Sequence, residues 1–298
     1  MKFDLAIAFD KAKYLEPQVY MFVDSIKDKL PEGTILHVVT NRGKEDSLRK
    51  YIKNTVPSKF YYEKEPDELN SRCRYMLNVL KIKTDKPWVI KVEADMLALR
   101  HLSALEEMLD DEYDIIIESE NRRIFTDEME TRLWRMLYRE MKVKCPTETI
   151  TYREDDKIGL PLFGTGMFCV KSKYLDLINK KWIPYTKICE RWLHINVHPN
   201  EQAIGGIIFG EGLKWKIYPR EYKWNPIGIW RKGTFPSIEL IDNCILPEEV
   251  VFLDYHRPKW LYHVAKFNPN VKEIVDRNSS KMSKEWKDLT NKDFQETI

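Results

Sequence analysis

The stretch Trp88-Val89-Ile90-Lys91-Val92-Glu93-Ala94-Asp95-Met96 decides how this chain is read. Together with Pro87 it opens as PWVIKV, a short and almost wholly apolar run with the length of a strand buried on both faces. It then runs directly into two carboxylates separated by one small residue. In extended chain, residues i and i+2 point to the same side, so Glu93 and Asp95 are expected to face one spot. Two hard oxygen donors at the carboxyl end of a strand suit a divalent cation and, through it, a phosphate group. The carboxylates alone would repel phosphates; a bridging Mg²⁺ or Mn²⁺ reverses that sign. A solvated acidic turn is the plainer reading of the same residues.

Upstream, strand and helix patterns alternate. Residues 5–9 (LAIAF) are an apolar run closed by Asp10, and residues 16–30 carry Val19, Phe22, Val23 and Ile26 at helical spacing. Pro31-Glu32-Gly33 ends that helix. Residues 34–40 (TILHVVT) form a second strand, closed by Asn41-Arg42-Gly43, and a helix follows over 45–54. Residues 59–63 (KFYYE) read as the third strand and 67–81 as a third helix, which makes 87–92 the fourth strand. Strand–helix repetition with short connections predicts a mostly parallel sheet covered on both faces.

Downstream the pattern loosens. Residues 113–117 (YDIII) predict a strand, 127–142 a charged helix, and 147–158 a polar loop. Residues 163–170 (FGTGMFCV) read as a glycine-opened strand, followed by helices near 174–180 and over 201–209. The segments 213–218 (LKWKIY) and 250–255 (VVFLDY) predict the last strands. From Phe267 the chain is charged and weakly patterned, with one helix expected near 281–289. The absence of repeats, low-complexity tracts and linkers predicts one α/β domain over 1–266, with a partly helical charged tail over 267–298.

Composition excludes several classes. Of 298 residues, 49 are Lys or Arg and 47 Asp or Glu, a net charge of +2 that rules out a disordered polyelectrolyte and a generally basic coat. No apolar stretch approaches the roughly 18–20 residues of a membrane span, and no secretory leader is visible at the start. The five cysteines are scattered and include no C-x-x-C pair, which argues against a disulfide framework and a structural zinc site. Buried thiols in the cytoplasm are the expectation. Nine Trp and fifteen Tyr supply amphipathic rings that serve either a core or a sugar-stacking cleft.

The segment WVIKVEADM resembles the metal-binding D-x-D region of the GT-A glycosyltransferases, which use nucleotide-sugar donors. Further pieces follow in that superfamily's order, each short, over roughly residues 3–263. The resemblance implies an α/β GT-A-like domain, with a Rossmann-like nucleotide-binding half and an acceptor half. It assigns Asp10 to the nucleobase or ribose, and Asn41, which closes the second strand, is a further candidate for binding the donor. Within Asn70-Ser71-Arg72-Cys73-Arg74 it assigns Arg72 and Arg74 to the phosphates. Gly164-Thr165-Gly166 is similar to the family's glycine loop-strand, and Pro199-Asn200-Glu201-Gln202 to its acidic helix start. Asp254-Tyr255-His256-Arg257-Pro258-Lys259-Trp260 resembles its C-terminal histidine region. There, His256 would join Glu93 and Asp95 on Mn²⁺ or Mg²⁺, and Lys259 would meet the diphosphate. The implied reaction moves a sugar from a nucleoside-diphosphate donor, UDP by prevalence, to a saccharide or other hydroxyl. Two departures stand out: Glu93 replaces the usual Asp, and the His256 stretch lacks the glycine and longer spacing of the glycogenin-like family.

Each piece keeps a structural alternative. Gly164 and Gly166 serve close backbone approach to a ligand or a plain turn. Glu201 is a general base for the acceptor hydroxyl or a first-turn carboxylate behind an Asn200 cap. His263 competes with His256, and Lys259 either meets the diphosphate or lies along the surface. Arg72 and Arg74 fall on different helix faces, so one at most points squarely at the phosphates. Trp215, Tyr218, Tyr222, Trp224 and Trp230 form either an acceptor platform or core. A nucleotidylyltransferase would need a glycine- and basic-rich loop after the first strand, which Asp10-Lys11-Ala12-Lys13-Tyr14 is not. A nucleic-acid-binding protein, or a transferase acting on a modified nucleic-acid base, draws on the basic aromatic runs at 214–232 and 257–287.

Overall fold

The structure, a computed structural model, describes residues 1–10, 15–63, 78–119, 127–152, 158–192, 199–219, 222–224, 249–255 and 258–281. The first half follows the alternating pattern. It runs β1 (Phe3–Phe9), α1 (Glu16–Ile26), β2 (Leu36–Thr40), α2 (Ser47–Thr55), β3 (Ser58–Tyr62) and β4 (Trp88–Lys91). Asp46 caps α2, its carboxylate accepting the N–H groups of Leu48 and Arg49. The helix expected over 67–81 lies outside the described residues up to 77, and residues 78–80 form a turn.

After β4 come β5 (Met96–Ala98), a 3₁₀ segment at Leu102–Met108, β6 (Ile115–Ser119) and α3 (Asp127–Glu140). A small hairpin of β7 (Ile150–Thr151) and β8 (Ile158–Gly159) stands where the sequence predicts a loop. The chain continues through β9 (Phe163–Lys171), α4 (Leu175–Trp192), α5 (Pro199–Gly210), β10 (Trp215–Ile217), β11 (Lys223–Trp224), β12 (Phe252–Asp254), α6 (Pro258–Phe267) and α7 (Pro269–Asn278). Helix α4 runs well past the predicted 174–180. Its buried face, Leu175, Ile178, Trp182, Thr186 and Cys189, keeps helical spacing straight through Pro184. That proline sits on the exposed side of the helix, as does Lys180, the residue whose carbonyl a non-proline there would have bonded.

Seven strands form the main sheet in the order β10-β6-β9-β4-β1-β2-β3. All its pairings are parallel except those of β9, which runs antiparallel between β4 and β6. Alternation along each strand divides the core. Phe3, Leu5, Ile7 and Phe9 of β1 pack with Val19 and Phe22 of α1, whereas Ala6 faces the layer of α3, α4 and α5. Both faces are therefore covered, as two-sided apolar strands require. A second sheet, β11-β12-β5, packs with α6 and α7 around Leu97, Leu253, Leu261 and Ile274. Among the described residues no helix is long and apolar enough to cross a membrane.

Candidate functional site

The acidic residues lie where the main sheet hands over to the small one. Lys91, the last residue of β4, is 1% exposed, and its Nζ donates to Glu93 Oε1 at 3.0 Å, to the Thr165 carbonyl, and to the Gly166 carbonyl at 3.1 Å. Beyond it the chain leaves extended geometry. Ala94 and Asp95 form a turn into β5, with Ala94 buried and Glu93 and Asp95 half-buried on either side of it. The two carboxylates are thus placed by a turn rather than by a continuing strand. Strand β5 pairs antiparallel with β12, and the Tyr255 N–H donates to the Asp95 carbonyl at 3.2 Å. The segment leading to His256 accordingly runs beside the acidic turn. His256 itself lies outside the described residues, as do the side chains of Lys259 and His263 in α6. Among the described residues no three His, Cys, Asp or Glu side chains form a metal cage. Glu93 and Asp95 are nonetheless a hard oxygen pair of the kind that Mg²⁺ and Mn²⁺ take.

Behind the turn sits a second buried ammonium. Lys223 of β11 places Nζ 2.6 Å from Glu118 Oε2 on β6 and 2.8 Å from Asp254 Oδ2 on β12, all three residues being buried. Burial alone would favour loss of its proton, but the charges of Asp254 and Glu118 outweigh that and lift its pKa well above the ordinary lysine value. Lys223 therefore fastens the small sheet to the main one with a charged clamp. Strand β9 opens at Phe163 as expected, with Gly164 its second residue and Gly166 within the strand, and a register shift falls between Ile117 and Glu118 of β6 alongside. A Cβ at Gly166 would stand 2.6 Å from Lys223 Nζ, so that glycine makes room for a lysine.

Helix α5 is tied to the same strand. Asn200 Nδ2 donates to Thr165 Oγ1 at 2.6 Å, and the Trp182 indole N–H donates to the Asn200 carbonyl at 3.0 Å. The helix starts at Pro199, so Asn200 sits within the first turn rather than capping it. Glu201 is buried, and Gln202 is fully buried with neither amide atom hydrogen-bonded. Thr165 thus joins the acidic turn, through Lys91, to the start of α5, through Asn200.

At the carboxyl ends of β1 and β2, whose pairing sets Phe9 opposite Thr40, stand Asp10 and Asn41. Arg42, to which no sequence motif points, is buried there. Its Nε donates to the Asp10 carbonyl at 2.9 Å, and its Nη1 to Glu16 at 2.9 Å and Asp46 at 3.0 Å. Arg72 and Arg74 lie outside the described residues. The aromatic cluster is mostly core: Trp215 packs edge-on to Phe163, Tyr218 donates to the Met167 carbonyl, and Trp224 is buried. Trp230 lies outside the described residues.

No protein-family model matches the chain, and no curated protein matches it. Solved structures do. The galactosyltransferase LgtC, in complex with donor and acceptor sugar analogs, is 14% identical over 96% of this chain and 99% of its own, with a TM-score of 0.57. Apo mouse xyloside xylosyltransferase 1 is 12% identical over 85% of this chain and 97% of its own, with a TM-score of 0.53. The glycosyltransferase GlyE of Streptococcus pneumoniae TIGR4 is 14% identical over 100% of this chain and 65% of its own, with a TM-score of 0.57. At such identities the likeness is one of fold.

Proposed function

We propose that this chain, whose fold is that of the GT-A glycosyltransferases, moves a sugar from a nucleoside-diphosphate donor to a hydroxyl acceptor with the help of Mn²⁺ or Mg²⁺. The observation that carries the reading is the link Glu93–Lys91–Thr165–Asn200. It joins the acidic turn to the buried start of α5 near the carboxyl end of β4, the side of an α/β sheet where ligands bind. Glu93 and Asp95 would hold the cation, with His256, next in sequence to Tyr255, as third ligand. When bound, the cation would neutralise charge on the departing diphosphate.

The chain's own residues supply the rest. Lys259, at the start of α6, adds positive charge for the leaving diphosphate. Asp10 and Asn41 take the nucleoside, and Arg72 and Arg74 serve the phosphate side. Gly164 keeps β9 close to the donor, and Gly166, a second candidate for that contact by the resemblance, instead gives its open side to Lys223. UDP is the favoured nucleotide on the resemblance alone. On the acceptor side, Glu201 takes the hydroxyl proton if configuration inverts. One solved LgtC structure is described as an active-site mutant with glutamine changed to glutamate; Gln202, with its unbonded buried amide, is this chain's candidate for a comparable place. We place the protein in the cytoplasm on its cysteine usage; Cys145, Cys169 and Cys189 are free thiols.

A thermal-shift panel of nucleotides with and without Mn²⁺ tests the proposal, because a ligand that binds the native state raises its melting temperature. A rise with UDP that grows with Mn²⁺ is expected. If no nucleoside diphosphate shifts the transition under either condition, the reading is wrong.

A further inference from the structure

Lys91 ends a strand whose other residues, Trp88, Val89 and Ile90, are all core. An ammonium there is desolvated, and it persists in such a place only with charged or polar partners. Its partners come from both sides of the site. Glu93 lies two residues on, and the carbonyls of Thr165 and Gly166 belong to antiparallel β9, where Lys91 is in register with Phe168. Gly166 is itself pressed under Lys223, which is held by Glu118 and Asp254. The Glu93 carboxylate is therefore tied through Lys91 to β9, and β9 at Gly166 lies close against the Lys223 clamp that joins β6 and β12.

We propose that Lys91 is a positioning residue of the donor site: it fixes the Glu93 carboxylate against β9, so that one oxygen meets the ammonium while the group as a whole still reaches a cation. Side-chain length is part of the device. Glutamate has one methylene more than aspartate, and that reach lets a residue two positions beyond Lys91 serve both partners. The inference rests on the donor-site reading above.

The sign of the effect separates positioning from bystanding. A buried positive charge 3.0 Å from a ligand carboxylate opposes cation binding by simple electrostatics, so removing a mere bystander tightens Mn²⁺ binding. Removing a residue that holds the ligand in place weakens it, in spite of the charge. Mn²⁺ binding to the full chain, followed by the electron paramagnetic resonance of the free ion, is measured for the wild type, Lys91→Met and Glu93→Asp. Both variants are expected to raise the Mn²⁺ Kd about tenfold or more, as loss of a group that orients a metal ligand does elsewhere. Near-UV circular dichroism checks that they fold. Lys91→Met binding Mn²⁺ as tightly as the wild type, or more tightly, overturns the proposal. Should Lys91→Met fail to fold, Glu93→Asp decides: it keeps the charge and ligand type but loses the reach, and an unchanged Kd overturns the idea. A wild type that binds no Mn²⁺ is a separate failure, which removes the cation site itself and this inference with it.

Discussion

Two side chains carry the sharpest consequences at the residue scale. Asp95 sits in the turn that leads into β5, with its carbonyl held by the Tyr255 N–H. Asp95→Asn preserves that backbone bond and the side chain's shape while removing a charge. It is expected to abolish the Mn²⁺-dependent part of the nucleotide thermal shift with the unliganded melting temperature nearly unchanged; a full Mn²⁺-dependent shift in this variant would remove Asp95 from the site. Gly166 tests the interior instead. The would-be Cβ meets the end of a lysine, normally a flexible group, but Lys223 is locked between Glu118 and Asp254. Gly166→Ala should therefore cost about 1–3 kcal/mol, as overpacking a close-packed interior does, read from urea unfolding midpoints. A variant as stable as the wild type would show that the clamp yields freely.

Whole elements are placed by polar ties as much as by apolar faces. The first turn of α5 is fixed by Asn200 on Thr165 and by the Trp182 indole on the Asn200 carbonyl, which delivers Glu201 and Gln202 to the buried side of that turn. Glu201→Gln should lower turnover of a donor–acceptor pair at least tenfold while leaving the nucleotide thermal shift in place, the pattern of a lost base. Unchanged turnover would return Glu201 to a structural role. At the other end of the sheet, Asp4 ties β1 to β2 and to the segment before β4. It accepts from the Ile35 N–H at 2.8 Å and from the Thr84 hydroxyl at 2.6 Å, with His37 Nε2 at 2.9 Å. Burial opposes ionisation of this carboxyl, but the hydrogen bonds of His37, Thr84 and Ile35 outweigh it and hold its pKa below the ordinary 3.8. A folded value below the unfolded one adds stability that is present above the unfolded pKa and is lost as pH falls through the folded one. Melting temperature should accordingly drop more steeply below about pH 4 in the wild type than in Asp4→Asn; parallel profiles would deny Asp4 that contribution.

For the molecule as a whole, the C-terminal helices belong to the body rather than to a tail. Helix α7 lies upstream of the helix expected near 281–289, whose residues beyond 281 are not described. It buries Val271, Ile274 and Val275 in the cluster that includes Met21 of α1, and Arg277 and Asn278 each reach Asp24 at 3.0 Å. Each such aliphatic side chain is worth roughly 1.5–3 kcal/mol on burial. Ending the chain after Phe267 should lower the melting temperature by about 10 °C or more, and an unaltered transition would show that α7 is dispensable. Because α1 also follows the end of β1 where the nucleoside is proposed to bind, the same truncation should weaken the UDP thermal shift.

What the sequence alone determined was local. Two-sided apolar runs, helical spacing and turn residues marked β1 to β4, α1, α2, β6 and β9, because burial and backbone geometry impress a short period on neighbouring residues; the E-x-D immediately after PWVIKV marked the acidic pair, though not the turn that holds it. Such periods say nothing about partners far along the chain. Nothing near Lys91 announces the carbonyls of Thr165 and Gly166, 74 and 75 residues away, and nothing near Lys223 announces Glu118, 105 residues away. The very short strands β5 and β11, and the glycine that admits a lysine, were hidden for the same reason. A buried charge is stable only opposite its counter-charge, and which residues stand opposite each other is decided when the sheets pack.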